Sequence, residues 1–210
     1  MLNPSAKRHK SNKDWMQEHV NDPYVQKAKQ EGYRSRAAYK LIEIDNKDKL
    51  IKPGNVIVDL GSAPGSWSQV AARKIGNTGR IIAIDLLEMQ GMGHVEFIQG
   101  DFSEAGPLAQ IEAMLAGVKV DLVMSDMLPN MSGVPTIDSA RAIYLCELAA
   151  EFALAHLKPD GKFLTKAYQG PGYEEFFQQL KKQFKTVASR KPDASRDRSA
   201  ELFLLASGLK

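Results

Sequence analysis

Short apolar runs alternate with amphipathic stretches along most of this chain. The first run is Ile57, Val58 and Leu60. A brief, nearly unbroken apolar run is the pattern of a strand covered on both faces. It leads straight into Gly61-Ser-Ala-Pro-Gly65. From Trp67 through Val70, Ala71 and Ile75 the apolar positions take helical spacing, until Gly76-Asn-Thr-Gly79 stops them. Further strands are expected over 79–86, 95–102, 119–126 and 161–168, with two closing strands over 186–190 and 201–207. Helices are expected over 104–117, 137–157 and 173–184. The second of these repeats Ala140, Ile143, Tyr144, Leu148, Phe152 and Leu157 at helical spacing. Lys158-Pro-Asp-Gly161 is expected to end it before the next strand begins. Strands alternating with helices predict an α/β fold, a mostly parallel sheet with helices on both faces. The last two strands, joined by a short loop, must pair antiparallel.

The segment before the first strand reads differently. Residues 1–14 are polar and basic and are expected to form a disordered tail. A loose helical pattern over 15–30, with Trp15, His19 and Val20 on one side, is interrupted at Asp22-Pro23. A helix is expected over 35–46, capped by Ser35. It turns Ala38, Leu41 and Ile42 to the core and keeps Arg34, Arg36 and Lys40 together at its start. Lys52-Pro-Gly54 is a turn. The expected organisation is one domain over 15–210, with 15–52 as a helical extension.

Composition narrows the class. A hydrophobic content of 43% suffices for a core. No apolar run approaches a membrane span, and no apolar h-region follows the basic Lys7-Arg-His-Lys10. The single cysteine, Cys146, excludes an internal disulfide and a cysteine-cluster metal site, and is read as core. A soluble, cytoplasmic protein is expected. The net charge of +3 is unevenly placed: residues 1–52 hold 12 Lys/Arg against 7 Asp/Glu, and the remainder 16 against 18. A basic arm on a near-neutral domain suggests a polyanionic partner, though a solvated tail carries the same charge. Trp15, Tyr24, Tyr33 and Tyr39 interleave with these cations, either to stack bases or to pack.

The glycine loop carries the first chemistry. Its Gly61-x-x-x-Gly65 spacing is not the dinucleotide pattern G-x-G-x-x-G, and no Gly-Lys-Ser/Thr follows. Pro64 removes a backbone donor that a phosphate cradle would use. A nucleoside without phosphates fits better, S-adenosylmethionine (SAM) foremost; the alternative is an ordinary strand-turn-helix without a ligand. Ligands of such sheets bind at the carboxyl ends of the strands. The Gly61 loop, Asp85, Asp101 and Asp126 all fall there, with Lys166 close by. Asp85 lies 24 residues past Gly61, near the spacing of an acid that bonds ribose hydroxyls. Asp101 is placed to meet an adenine edge. Lys166 sits in the apolar run Phe163-Leu-Thr-Lys-Ala-Tyr. Partly buried near a second cation, it would lose its proton more readily and accept one from a substrate; a solvated lysine is the alternative. The four histidines are scattered without metal-ligand spacing, so no metal is expected.

Asp59-Leu-Gly-Ser-Ala-Pro-Gly-Ser-Trp-Ser-Gln, Asp85-Leu-Leu, Gln99-Gly-Asp-Phe and Ser125-Asp-Met-Leu-Pro-Asn-Met-Ser-Gly closely resemble the FtsJ/RrmJ (RlmE) family. So do Arg34-Ser-Arg-Ala, Lys166-Ala-Tyr-Gln-Gly and Arg190-Lys-Pro-Asp-Ala-Ser-Arg. The resemblance runs from about Trp15 to Ser207. It implies a Rossmann-like fold of seven strands and a SAM-dependent 2′-O-ribose methyltransferase. Its substrate would be a uridine in the A loop of 23S rRNA within the large (50S) subunit, and the enzyme would be a monomer. The catalytic set implied is Lys40, Asp126, Lys166 and Glu201. SAM contacts fall on Gly61, Gly65, Trp67, Asp85, Asp101 and Asp126, and RNA contacts on Arg34, Arg36, Lys40, Arg196 and Arg198. Lys166 would be the base, assisted by desolvation and by Lys40. Asp126 would orient it, and Glu201 would fix the lysines. Three departures from the bacterial pattern stand out: Ser62 and Ser66 replace an alanine and a glycine, and Leu128 replaces an alanine. Ser66 is expected to stiffen the loop and Leu128 to alter the pocket. Two alternatives remain. A nicotinamide oxidoreductase is opposed by the missing glycine fingerprint. An RNA-binding ribosome-assembly factor with this fold is opposed by the intact catalytic set.

Overall fold

The computed structural model describes residues 20–196 and 199–210. Its sheet contains β1 (Val56–Leu60), β2 (Arg80–Asp85), β3 (Val95–Gln99), β4 (Val120–Ser125), β5 (Leu157–Tyr168), β6 (Phe184–Arg190) and β7 (Glu201–Leu209). Helices α1 (Pro23–Gln30) and α2 (Ala37–Asp48) precede it. Helices α3 (Ser66–Ile75), α4 (Ala105–Leu115), α5 (Pro135–His156) and α6 (Tyr173–Gln183) lie between strands. The spatial order is β3-β2-β1-β4-β5-β7-β6. The first five strands pair in parallel, and β7 runs antiparallel between β5 and β6. This is the Rossmann-like arrangement that the pattern predicts.

Alternation along the strands splits the core in two. Val58, Leu60, Ile82, Ile84, Val123 and Phe163 pack with residues of α4, α5 and α6. Ile57, Ile81, Leu122, Met124, Leu164 and Phe203 pack on the other face with Ala38, Leu41 and Ile44 of α2 and with Trp67, Val70 and Ala71 of α3. Each fully buried aliphatic side chain contributes about 1.5–3 kcal/mol, so α2 is held by its apolar stripe. Cys146 is buried in the first cluster, as expected. Among the described residues no helix is long and apolar enough to cross a membrane.

Several local expectations are corrected. Asp22-Pro23 does interrupt the helical pattern, since Val20 is helical and residues 21–22 are not, but it also starts the next helix. Asp22 Oδ1 accepts from Tyr24 N at 3.0 Å, and proline occupies the first turn, where its missing N–H costs nothing. Helix α2 begins and ends two residues later than expected, although Ser35 Oγ does accept from Ala37 N at 3.2 Å. Lys158-Pro-Asp-Gly161 does not separate helix from strand, because β5 starts at Leu157. Val120 pairs with Leu157 but Leu122 with Lys162, so the extra residues form a bulge inside the ladder. Lys158 Nζ lies 2.7 Å from Asp121 Oδ1 across it. Of the two readings of the tyrosines the structure shows packing: Tyr39 meets Tyr24 at a tilt and Tyr33 edge-on, with centroids 5.4 and 5.6 Å apart. Trp15, His19 and the expected tail lie outside the described residues.

The connection from α2 to β1 depends on Asp45, which is buried. Its Oδ1 accepts from Leu50 N at 2.7 Å and Ile51 N at 2.8 Å, and Lys74 pairs with its other oxygen. Asp45→Ala leaves both buried N–H groups without a partner. It is expected to lower the urea-unfolding free energy by about 3 kcal/mol at constant m, with Asp45→Asn losing less. An alanine variant as stable as the parent contradicts this role.

Candidate active site

Two loops meet at the carboxyl end of β1 because two positions lack a side chain. Gly61 has φ +76°, and a Cβ there would lie 2.7 Å from Met127 Cγ and 2.9 Å from Met127 N. Gly65 has φ +100°; its Cβ would lie 2.5 Å from Arg34 Nη1 and 2.8 Å from Met89 Sδ. Both combine a left-handed backbone with a crowded approach, which glycine alone accommodates. Asp85 then fastens the loop: its Oδ2 accepts from Ala63 N and its Oδ1 from Leu87 N, each at 2.8 Å. Asp101 Oδ1 accepts from Ser103 N at 2.8 Å and Ser103 Oγ at 2.7 Å, at the neighbouring strand end. Trp67 supports the loop from beneath. Its buried ring lies 5.5 Å from Phe203, and Nε1 donates to Ala37 O at 3.0 Å.

The lysines and acids converge as the motifs imply. Lys166, only 7% exposed, donates to Asp126 O at 2.6 Å, and its Nζ lies 3.0 Å from Asp126 Oδ1. The carboxylate contact is an ion pair without hydrogen-bond alignment, since Oδ1 takes no hydrogen bond. Lys40 Nζ lies 2.7 Å from Glu201 Oε1 and donates to Oε2 at 2.9 Å. Ser195 Oγ donates to the same carboxylate at 2.9 Å. Burial works to raise Glu201, but the charge and hydrogen bond of Lys40, the Ser195 hydroxyl and the charge of Lys166 together hold it below the ordinary carboxylate range.

Sequence reasoning missed two members of this set. Tyr168 lies opposite Glu201 in the β5–β7 register and two residues past Lys166, hence on its face. Burial, reinforced by the charges of Glu201 and Asp126, pushes its phenol far up. The period of the strand was the available signal. Ser195 lies in an irregular connection without periodicity, and its one signal was the motif Arg190-Lys-Pro-Asp-Ala-Ser-Arg that contains it.

The arginines expected on RNA are dispersed. Arg34 donates from Nη1 to Pro64 O at 2.9 Å and from Nη2 to Gly91 O at 3.2 Å. Arg36 pairs with Asp22 and donates to Ala194 O. Arg34, Arg36 and Lys40 therefore reach separate partners. Arg36, Lys40 and Arg196 do line one cavity of about 280 Å³, with Ser35, Ala37, Ser199 and Glu201. A second, narrow pocket of about 20 Å³ is bounded by Ala37, Gly61 to Pro64, Ser66, Trp67 and Asp126. Ala37 borders both, so the cation-lined opening adjoins the glycine loop. Arg198 lies outside the described residues. Ser66 is buried with its Oγ 2.7 Å from Ser35 Oγ, joining the loop to the start of α2. Leu128 is 49% exposed, not packed into the pocket. Among the described residues no group of three or more His, Cys, Asp or Glu is placed to hold a metal ion.

The profile of the FtsJ-like methyltransferases matches residues 33–209. Ribosomal RNA large subunit methyltransferase E of Azoarcus sp. (strain BH72) is 57% identical over 204 residues, covering 97% of this chain and 100% of the relative. The protein of the same name from Dechloromonas aromatica is 58% identical over 204 residues with the same coverage. A solved structure assigned as a ribosomal RNA methyltransferase of Plasmodium falciparum aligns with a TM-score of 0.75 at 30% identity, over 84% of this chain and 98% of that one.

Beneath the loop, Asp59 is fully buried. Its Oδ2 accepts from Ser68 Oγ at 2.6 Å, while Oδ1 has no partner. Burial pushes its carboxyl up to about 7, against the Ser68 hydrogen bond and with help from the charges of Asp126 and Asp85. The folded state thus holds this proton more tightly than the unfolded chain, whose aspartates titrate near 4. The stabilisation is present below about pH 4, fades between about 4 and 7, and is gone above. Asp48, Glu96 and Glu201 are held below their ordinary range, so they contribute with the opposite sign, their stabilisation being lost as pH falls. Unfolding free energy is expected to fall by roughly 3 kcal/mol between pH 4 and 8 in the parent and much less in Asp59→Asn. Parallel curves for the two proteins in urea titrations would refute the assignment.

Proposed function

The chain belongs to the FtsJ-like methyltransferase family, and on that premise we propose that it transfers a methyl group from SAM to the 2′-hydroxyl of a uridine ribose in the A loop of 23S rRNA, within the large (50S) ribosomal subunit. The observation that carries this reading is the meeting of Lys40, Glu201, Lys166 and Asp126 beside the glycine loop. Relatives named as large-subunit rRNA methyltransferases, matched over their full length, support it. The setting would be the cytoplasm and the enzyme a monomer.

The residues present suit SAM. Gly61 and Gly65 let the loop close against Met127 and Arg34, and the loop so held borders the narrow pocket with Asp126. Each Asp85 oxygen takes one backbone hydrogen bond, and a carboxylate has about four acceptor sites, so capacity remains for ribose hydroxyls. Asp101 would serve the adenine and Asp126 the methionine end. Gly65 and Trp67 would contribute through the loop and its support. When bound, SAM supplies an electrophilic methyl on a sulfonium.

The protein's task is to hold the acceptor hydroxyl and remove its proton. In this reading Lys166 Nζ is the acceptor of that proton. Asp126 receives the ammonium through the main-chain oxygen and carboxylate already in contact with it. Glu201 holds Lys40 at two oxygens, so Lys40 stays fixed at the cavity wall, where its remaining N–H faces the ribose. Arg36, Arg196 and Arg198, with the 1–14 tail and the 15–52 extension, would meet RNA phosphates; Lys40 serves both purposes.

Lys166→Ala is expected to slow methyl transfer to unmethylated large subunits by about 10²–10⁴-fold while SAM affinity stays within a few fold. The product should be one uridine resistant to alkaline cleavage on its 3′ side. Near-parental turnover of the variant at every pH sinks the assignment of the base. RNA binding by the parent without methyl transfer would favour the assembly-factor reading.

A further inference from the structure

Arg34 belongs to the basic segment read as RNA-facing, yet its guanidinium is bonded to the protein's own main chain at two points. Nη1 donates to Pro64 O, within the glycine loop, at 2.9 Å. Nη2 donates to Gly91 O, within the loop after β2, at 3.2 Å. These are the two loops that Asp85 also joins, through Ala63 N and Leu87 N. The pair is thus cross-linked twice, once by a carboxylate that accepts from two amides and once by a guanidinium that donates to two carbonyls.

The arginine is itself held in place. Its main-chain N donates to Gln69 Oε1 at 2.9 Å, and Gln69 Nε2 donates to Gly32 O at 2.7 Å. Gln69 lies on α3, the helix that Gly65 starts. The links Gly65, Gln69, Arg34 and Pro64 therefore close a circuit around the loop. Gly65 has no side chain where Arg34 Nη1 passes, at 2.5 Å from the position a Cβ would take. Among the described residues no carboxylate pairs with Arg34. Both acceptors are neutral carbonyls, and the planar guanidinium fork presents a separate fixed donor to each.

We propose that Arg34 is a positioning residue for the methyl donor: it sets the separation of the glycine loop and the loop after β2. The inference rests on the reading of that loop as the SAM site. Its force comes from the division of labour with Asp85. Ribose hydroxyls drawn to Asp85 would share its oxygens with the amides of Ala63 and Leu87. Arg34 meets the same loops at other atoms, so it keeps them together while Asp85 turns to the ligand. A cation of the RNA-facing segment thereby acts on donor affinity.

The test uses the full chain and measures SAM and S-adenosylhomocysteine affinity by calorimetry without RNA. Arg34→Ala is expected to weaken both by tenfold or more. Arg34→Lys, which keeps the charge but replaces the fork by a compact ammonium on a shorter stem, should recover part of the loss. Amide exchange at 86–91 should quicken in the alanine variant, and the melting temperature should move little. The RNA arm compares the salt dependence of large-subunit binding: Arg196→Ala is expected to reduce the slope by about one, and Arg34→Ala to leave it unchanged. Parental SAM affinity in both Arg34 variants overturns the proposal, and a salt slope reduced only in Arg34→Ala would make Arg34 a phosphate contact instead. A parent chain that does not bind SAM at all would overturn the methyltransferase reading itself, a result distinct from failure of the Arg34 role.

Discussion

A buried carboxylate has to find a cation, and at Glu201 that requirement ties the molecule together. Removing an ionised carboxylate from water costs several kcal/mol unless a charge and hydrogen bonds compensate it. The compensation comes from Lys40, 161 residues earlier, and from Ser195 in the connection between β6 and β7. For Lys40 to arrive, α2 must be seated on the face shared by Trp67, Leu164 and Phe203. For Glu201 to arrive, β7 must run antiparallel between β5 and β6, reversing an otherwise parallel arrangement. Packing, topology and the site's charge balance are therefore a single condition.

Much of this was legible from periodicity. Buried parallel strands announce themselves as apolar runs, and their acidic ends marked the edge where the site lies. The errors cluster where local rules give more than one answer. Asp-Pro interrupts a helix or also begins the next, depending on whether the chain beyond the proline can stay helical; here it does, and Asp22 caps. Lys-Pro-Asp-Gly reads as a turn, but β5 pairs with β4 at Leu157 and again from Lys162, so the strand brackets it. Phe203 and Trp67 show a different limit: their contact joins two distant segments, and no single-chain pattern reports it.

Charge was harder to read than apolarity. A run of Lys and Arg looks like an arm awaiting a polyanion, because sequence shows the cations without their partners. In the fold Arg36 finds Asp22, Lys40 finds Glu201, and Arg34 finds two carbonyls, one in the glycine loop and one in the loop after β2. The tyrosines between them pack against each other, and Arg73 lies 4.2 Å over the ring of Tyr33. The segment is as much a wall of the site as a surface for a partner.

The bulge between Leu157 and Lys162 has a bearing on chemistry some distance along the strand. Side chains of a strand alternate, so what matters for Lys166 is whether an odd or an even number of residues separates it from the point where pairing resumes. With the excess absorbed before Lys162, Leu164 and Lys166 face α2, while Phe163 and Ala167 face α5. Shift that count by one and the lysine points among the apolar side chains around Cys146, with an alanine left facing Asp126. The irregular stretch works as a parity setting: it fixes which side of the sheet holds the Lys166 amine.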